Sequence, residues 1–520
     1  VYDYIEEFIF YGDDIRIERF PADTRFIYAN PPMNPLGDPY SAIRQALDEP
    51  LGVSSLEKQL KPSSRVTIAF DDPCLPIPLM RNDVRGTVIE ELIKRLYKIG
   101  ISRDRIQLIC ANGLHRKWTL KELSLVLGRK VIKEMGPDRI TCHDATKDDD
   151  LVHLGSTPSG HEVEINRAVI ESDVTIYVNV NFTSMNGGWK SILVGLGSWR
   201  SIRHHHTPLQ WNARQSVMNP ETNPMHIILR EMGQLVQKHC NIFQIETVIN
   251  NKVWPWPIEK ILAPISNKAQ GAAPTKPMQT VFSLASCAPQ PVKRFVRNNL
   301  VRSDYRLCGI WAGNVEEVHR HTLEMLMRQQ NVAVDEQADI LIFGVPNLSP
   351  YSALSVFNPI LLRALTTGYL MGLFKNRPLV RKEGIIIACN PGIEKFHAGH
   401  HPSYIDFWQN HVESHYDPQQ CWDDLAEPYA DNPRYKRLYQ DNFAYHGTHC
   451  LINWMWSGMS MKHTRQVILA GAKEPETARK IGFTPAADLP TALAMARNMA
   501  GDHAHISYQV IPPLFCVDVK

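Results

Sequence analysis

From residue 65 onward, short apolar runs alternate with longer stretches of helical periodicity. Residues 65–70 (RVTIAF), 105–111 (RIQLICA) and 173–180 (DVTIYVNV) read as buried strands. Apolar runs of that length, rich in β-branched residues, fit strands better than helices. Residues 83–100 form an amphipathic helix between the first two, with Gly100 as its stop signal. Thr119 followed by Glu122 predicts a capping box, in which hydroxyl and carboxylate each satisfy an N–H that the first helical turn leaves without a partner. The rhythm returns in the second half. It gives a helix at 316–330, a strand at 338–345 (ADILIFGV), a helix at 358–374, and strands at 384–389 (GIIIAC) and 466–470 (QVILA). A helix capped by Asp488 ends at Gly501, and a last strand covers 505–511. This alternation predicts an α/β fold: two α/β domains with mostly parallel sheets and a ligand site in the cleft between them.

Residues 264–279 (PISNKAQGAAPTKPMQ) interrupt the pattern and read as a linker. The expected organisation is an N-terminal domain over 1–265, a linker at 266–279 and a C-terminal domain over 280–504. Residues 505–520 hold the final strand, with a return to the N-terminal domain as one option. Within the second domain, residues 404–460 are dense in Trp, Tyr and His and fit neither period. They read as an elaborated loop region with short helices.

Composition changes this picture little. A chain of 520 residues with 44% hydrophobic and 21% charged residues is ordinary globular protein of more than one domain. A net charge of +2 and mixed signs give no bulk attraction for nucleic acid. The ten cysteines include no C-x-x-C pair, which argues against a zinc ribbon or a thioredoxin-like site, and they read as thiols of a reducing compartment. The first residues, VYDYIEEFIFYGDD, lack the basic start of a secretory signal. The apolar stretch near 359–374 contains Arg363 and falls short of a ~20-residue span. A cytoplasmic protein without membrane or nucleic-acid partners is expected.

In parallel α/β sheets, ligands gather beyond the carboxyl ends of the strands. The first strand ends in Asp71-Asp72-Pro73, and the second in Asn112-Gly113-Leu114-His115-Arg116. The third runs into Asn186-Gly187-Gly188-Trp189-Lys190. Any one of these is also an ordinary turn or cap residue. Together they bring carboxylates, an imidazole, a guanidinium, a Gly-Gly turn and a lysine to one edge. Beyond them lies the run His204-His205-His206. Adjacent residues point apart in strand or helix, so at most one or two of these could ligate one ion.

Residues 72–78 (DPCLPIP), 111–116 (ANGLHR) and 187–195 (GGWKSILVG), with His206 following, resemble the ordered motifs of the nickel-pincer-nucleotide-dependent lactate racemase family. The resemblance covers roughly residues 60–265. It implies a nickel-pincer nucleotide (pyridinium-3-thioamide-5-thiocarboxylic acid mononucleotide) joined covalently to Lys190, with nickel held by His206. Asp72, Arg116, Gly187 and Gly188 are then cofactor-binding, and His115 is a general acid/base. The implied reaction removes the hydroxyl proton of a secondary alcohol while hydride passes to the cofactor, and returns the hydride to the other face. An imidazole suits both nickel ligation and proton exchange near neutral pH. Cofactor-biosynthesis proteins are implied as partners for loading.

The chain departs from the family pattern where substrate is handled. The family's second catalytic histidine is missing from residues 179–182 (NVNF). Its carboxylate-binding arginine aligns with Leu75, its C-domain lysine falls near Leu361, and a motif proline is replaced by Val194. Loss of two cationic clamps points away from lactate, toward another 2-hydroxy acid, a sugar acid or a non-carboxylate alcohol. His397, His400 and His401, which follow the strand at 384–389, are the candidates to replace the missing acid/base, with Tyr404 a weaker one because phenols titrate near ~10. Trp454 and Trp456 are candidates to stack on a planar cofactor. The competing readings are a racemase or epimerase of a hydroxy acid other than lactate, a same-cofactor enzyme for a non-carboxylate alcohol, and a non-catalytic cofactor-binding homologue.

Overall fold

The structure is a computed structural model that describes residues 4–211, 215–255, 259 and 276–520. Among these residues two large sheets carry the fold. The first has six strands in the order Leu307–Gly313, Ile242–Ile249, Val174–Asn181, Val66–Asp71, Ile106–Ala111 and Ile140–Cys142. All run parallel except Leu307–Gly313, which pairs antiparallel with its neighbour. Side chains alternate between the faces. Ile68, Phe70, Ile176 and Val178 join the core under helices Val84–Ile99 and Leu120–Met135. Ala69 and Tyr177 join the core under helices Gly188–Gly195 and Pro224–His239. Burial on both faces explains why these strands read as continuous apolar runs.

The second sheet centres on Ala338–Pro346, flanked on one side by Val380–Cys389, Gln466–Ala470 and Thr484–Ala486, and on the other by Ile506–Gln509 and Arg25–Ile27, all parallel. The fold is therefore α/β with mostly parallel sheets. No described helix is long and apolar enough to cross a membrane.

The division of the chain differs from the expected 1–265 and 280–504. The hairpin Tyr4–Gly12/Asp14–Pro21 joins the second sheet, where Tyr11 and Gly12 pair with Val345 and Pro346. Leu307–Gly313 belongs to the first sheet. Residues 505–520 do not return to the first sheet: Ile506–Gln509 stays in the second, and Cys516–Val519 pairs with Asn331–Val334. These pairings join segments distant in sequence, the N-terminal hairpin and its partner strand being more than three hundred residues apart, which local periodicity does not register. Most of the expected linker lies outside the described residues, and helix Lys276–Ser286 begins within its last positions.

Two segments are more ordered than expected. Five helices, Pro402–Asn410, Pro418–Asp431, Pro433–Asp441, His449–Trp456 and Gly458–His463, cover most of residues 404–460. Asp417 and Asn432, each followed by proline, cap two of them by accepting backbone N–H bonds. Residues 358–374 form a short α-helix, Pro359–Arg363, that widens into a π-helix, Ala364–Leu370. The capping box at Thr119 and Glu122 and the left-handed Gly100 stop are present as read.

The helical insert closes onto the first sheet. The Tyr439 hydroxyl donates to Gly113 O at 2.6 Å and accepts from Ala145 N at 3.1 Å, while His446 N donates to Leu114 O at 3.1 Å. Each such bond contributes roughly 1 kcal/mol. Together they fix the loop that carries His115.

Candidate functional site

Loops from the carboxyl ends of both sheets meet at His115. Its Nδ1 lies 2.9 Å from Asp72 Oδ2, and the Trp118 indole donates to the same oxygen at 3.2 Å. Burial alone would raise the Asp72 carboxyl, but His115 and the Cys74 N–H outweigh it and hold the group below its ordinary value. An ionised carboxylate only accepts, so His115 Nδ1 carries the hydrogen and Nε2 keeps its lone pair. The sequence reading gave Asp72 to the cofactor. The structure uses it to set the tautomer of His115.

The histidine that faces His115 from the other half is His449, at the start of helix His449–Trp456. The two rings meet edge to face at 5.3 Å, and Tyr445 stacks on His449 at 4.5 Å. Asn453 Nδ2 donates to the Tyr404 oxygen at 3.0 Å, which leaves the Tyr404 hydrogen for His449 Nδ1 at 2.7 Å. His449 therefore carries its own hydrogen on Nε2. Burial, with the nearby His115, keeps this ring neutral, well below its ordinary pKa. The pair presents one acceptor and one donor, each fixed by a partner.

His397, His400 and His401 do not reach this position. His397 and His400 stack on each other at 3.7 Å, and His400 Nδ1 bonds Ser355 at 2.8 Å. His401 stacks on the Tyr445 ring at 5.6 Å. Sequence reasoning missed His449 because it sits among aromatics in a segment without readable period. The available signal was its place just after Gly447 in a stretch already marked by its Trp, Tyr and His content.

Lys190, in helix Gly188–Gly195, makes no hydrogen bond or ion pair with any described residue. Burial lowers its pKa, against the pull of Asp71 and Asp72. Asp71 accepts from Tyr177, Asn179 and Val180 N, and burial nonetheless pushes it up to about 6. His206 is buried and neutral, lowered to about 3 by burial and then by Lys190. Its Nδ1 lies 2.7 Å from that of His205, and no described residue bonds its Nε2. Trp211 meets His206 at 5.3 Å, and Trp456 meets Trp211 at 4.4 Å and Tyr369 at 3.9 Å. Trp456 thus belongs to an aromatic wall near His206. Trp454 instead lies against the buried Arg363 at 3.6 Å, away from the wall.

Three expected cofactor contacts have other partners. Arg116 is buried in an ion pair with Glu122 at 2.7 Å and stacks on Trp118 at 3.8 Å. The Gly188 N–H donates to Glu246 at 2.6 Å and the Gly187 N–H to Ser191 at 3.0 Å, so neither is open to a ligand. Both glycines have positive φ, and a Cβ on either would lie within 2.8 Å of Asn181 or His319. Their role is close packing on the pair of buried Glu246 and half-buried His319, joined at 3.1 Å. A lone acid inside the apolar strand Ile242–Ile249 was the signal for Glu246.

Residues 11–217 match the family model described as the lactate racemase N-terminal domain. The lactate racemase of Lactiplantibacillus plantarum is 27% identical over 169 residues, covering 32% of this chain and 38% of that protein. The lactate racemase of Thermoanaerobacterium thermosaccharolyticum is 24% identical over 220 residues, covering 40% and 47%. The matches therefore span less than half the length of these relatives. In overall fold the chain is similar to the lactate racemase apoprotein of T. thermosaccharolyticum, with a TM-score of 0.64 at 18% identity over 98% of this chain and 99% of that one. It is also similar to a protein of Thermotoga maritima, with a TM-score of 0.52 at 14% identity over 93% and 99%. Over residues 11–217 the chain is thus similar to the lactate racemase N-terminal domain, and its α/β fold is similar to that of a lactate racemase apoprotein.

Proposed function

We propose that the chain is a racemase or epimerase of a 2-hydroxy acid other than lactate, or of a sugar acid, that works with a nickel-pincer nucleotide tethered to Lys190. The observation that carries this reading is the Lys190 amine. It is partly buried, is desolvated enough to lower its pKa, and has no partner among the described residues, in a site that also holds His206, His115 and His449. A desolvated lysine without an acid partner is costly as an ammonium. A covalent amide-type bond removes that charge. His206 fits a nickel ligand: its ring is neutral, and with Nδ1–H donating to His205 its Nε2 lone pair is available. When bound, the cofactor would supply a hydride acceptor.

The protein's share is proton traffic and position. His115 Nε2 takes the substrate hydroxyl proton and returns it, with Asp72 stabilising the imidazolium. His449 Nε2–H donates to the same oxygen as it becomes a carbonyl. Tyr351 and Tyr445 beside His115, with the wall of Trp211, Trp456 and Tyr369 near His206, exclude water from the exchange.

One observation favours a second reading, a non-carboxylate secondary alcohol as substrate. Among the described residues, the two arginines near His115 are already engaged, Arg85 by Asp83 and the carbonyls of Asp71 and Asp72, and Arg116 by Glu122. Leu75 and Leu361 lie where the family resemblance implies cations, and both pack against apolar cores.

The test is a panel of single-enantiomer hydroxy acids and polyols, each deuterated at the carbinol carbon, followed by chiral chromatography and mass spectrometry. Inversion of a hydroxy acid with the deuterium retained supports the first reading. Inversion of a polyol alone supports the second. Deuterium washout contradicts hydride chemistry in both.

A further inference from the structure

We propose that Asp72, Cys74 and His115 form a binding site for a borderline divalent cation such as zinc, one that shares no ligand with the nickel position at His206. One carboxylate oxygen, the Cys74 sulfur and one imidazole nitrogen all lie within 4.8 Å of one another. Asp72 and Cys74 are buried and His115 partly so. Mixed S, N and O donors in a small cage are what zinc prefers. Three protein ligands leave one position for water or another small ligand.

The local structure explains the convergence. The D-P-C turn after Val66–Asp71 folds back so that Cys74 N donates to Asp72 Oδ1 at 3.3 Å. His115 arrives from the neighbouring parallel strand, Ile106–Ala111, and already bonds Asp72 through Nδ1. Asp72 favours a cation at the Cys74 sulfur, while Arg116 and Arg85 oppose one. Binding therefore requires the Cys74 thiolate, whose formation burial and Asp72 resist in the metal-free state. The cation would displace one proton, from the thiol, while the single ring hydrogen of His115 moves from Nδ1 to Nε2. Affinity rises with pH for that reason.

Occupancy has a chemical consequence. A cation on Nδ1 leaves the remaining imidazole hydrogen on Nε2, so His115 changes from acceptor to donor on its cavity side. On the reading of His115 as the base, zinc in this site is an inhibitor. The site itself stands without that reading.

Cobalt(II) titration of the metal-stripped full chain tests it, because a thiolate–cobalt bond has a charge-transfer absorption that carboxylate and imidazole ligands lack. The expected result is a saturable band near one equivalent, removed by zinc, lost in Cys74→Ser and weakened in His115→Asn, and unchanged in His206→Ala. Alkylation mapping gives a second readout: zinc should slow modification of Cys74 in the parent chain and not in His115→Asn. No band in the parent chain, a band that persists in Cys74→Ser, or Cys74 alkylation indifferent to zinc would each overturn the proposal. The tether can fail by mass analysis while this band is present, and the reverse, so the two readings are separable.

Discussion

The rings of His115 and His449 stand 5.3 Å apart, edge to face, one from each half of the chain. Their tautomers are opposite. Asp72 fixes the hydrogen of His115 on Nδ1, and Tyr404 fixes that of His449 on Nε2. Asp72→Asn can donate to Nδ1 and so invert His115. It should lower kcat by about 10²–10⁴, the range of a general acid/base. His449→Gln should lower kcat by a similar factor. His397→Ala and His400→Ala, which face elsewhere, should leave kcat near the parent value. Steady-state kinetics on the first active substrate checks this, and an unimpaired His449→Gln would remove His449 from the chemistry.

The buried histidines set an acid limit on stability. His143 is held at about 4, and His226 and His446 at about 3, all by burial first, against an ordinary 6.5. Each folded pKa lies below the unfolded one, so the unfolded chain binds protons first as pH falls. Stability is therefore fully present above about 6.5 and is lost progressively toward about 3. Calorimetry across that range should show a falling Tm, with a shallower slope in His226→Asn. A flat Tm would contradict the burial of these rings.

The glycine turn before Lys190 separates a packing role from a cofactor role. Gly188→Ala places a methyl 2.8 Å from the His319 ring at φ +55. Loss of about 1–3 kcal/mol is expected, with or without cofactor. Denaturant midpoints on unloaded protein measure it. A neutral effect there, with loss of loading only, would restore the turn as a ligand contact.

The site was legible where chemistry follows strand ends. Asp72, His115 and Lys190 lie beyond the carboxyl ends of Val66–Asp71, Ile106–Ala111 and Val174–Asn181, whose two-sided burial makes them plain apolar runs. His449 was not legible, since its helix is buried nearly all round and shows no polar face to mark a period. The N-terminal hairpin was missed for another reason. Its sheet partner, Ala338–Pro346, lies more than three hundred residues away, and the local pattern does not name a partner. Arg116 looked like a ligand contact because its pairing with Glu122, six residues on, depends on the turn into the next helix.

Lys190 is the proposed tether of the cofactor. The direct measurement is denatured intact mass with peptide mapping, alongside nickel analysis, on protein made in a host proven to load a control lactate racemase. The expected result is a nucleotide-sized adduct on the Lys190 peptide, about one nickel per chain, and loss of both in Lys190→Ala. An unmodified Lys190 and no nickel in that host would contradict it.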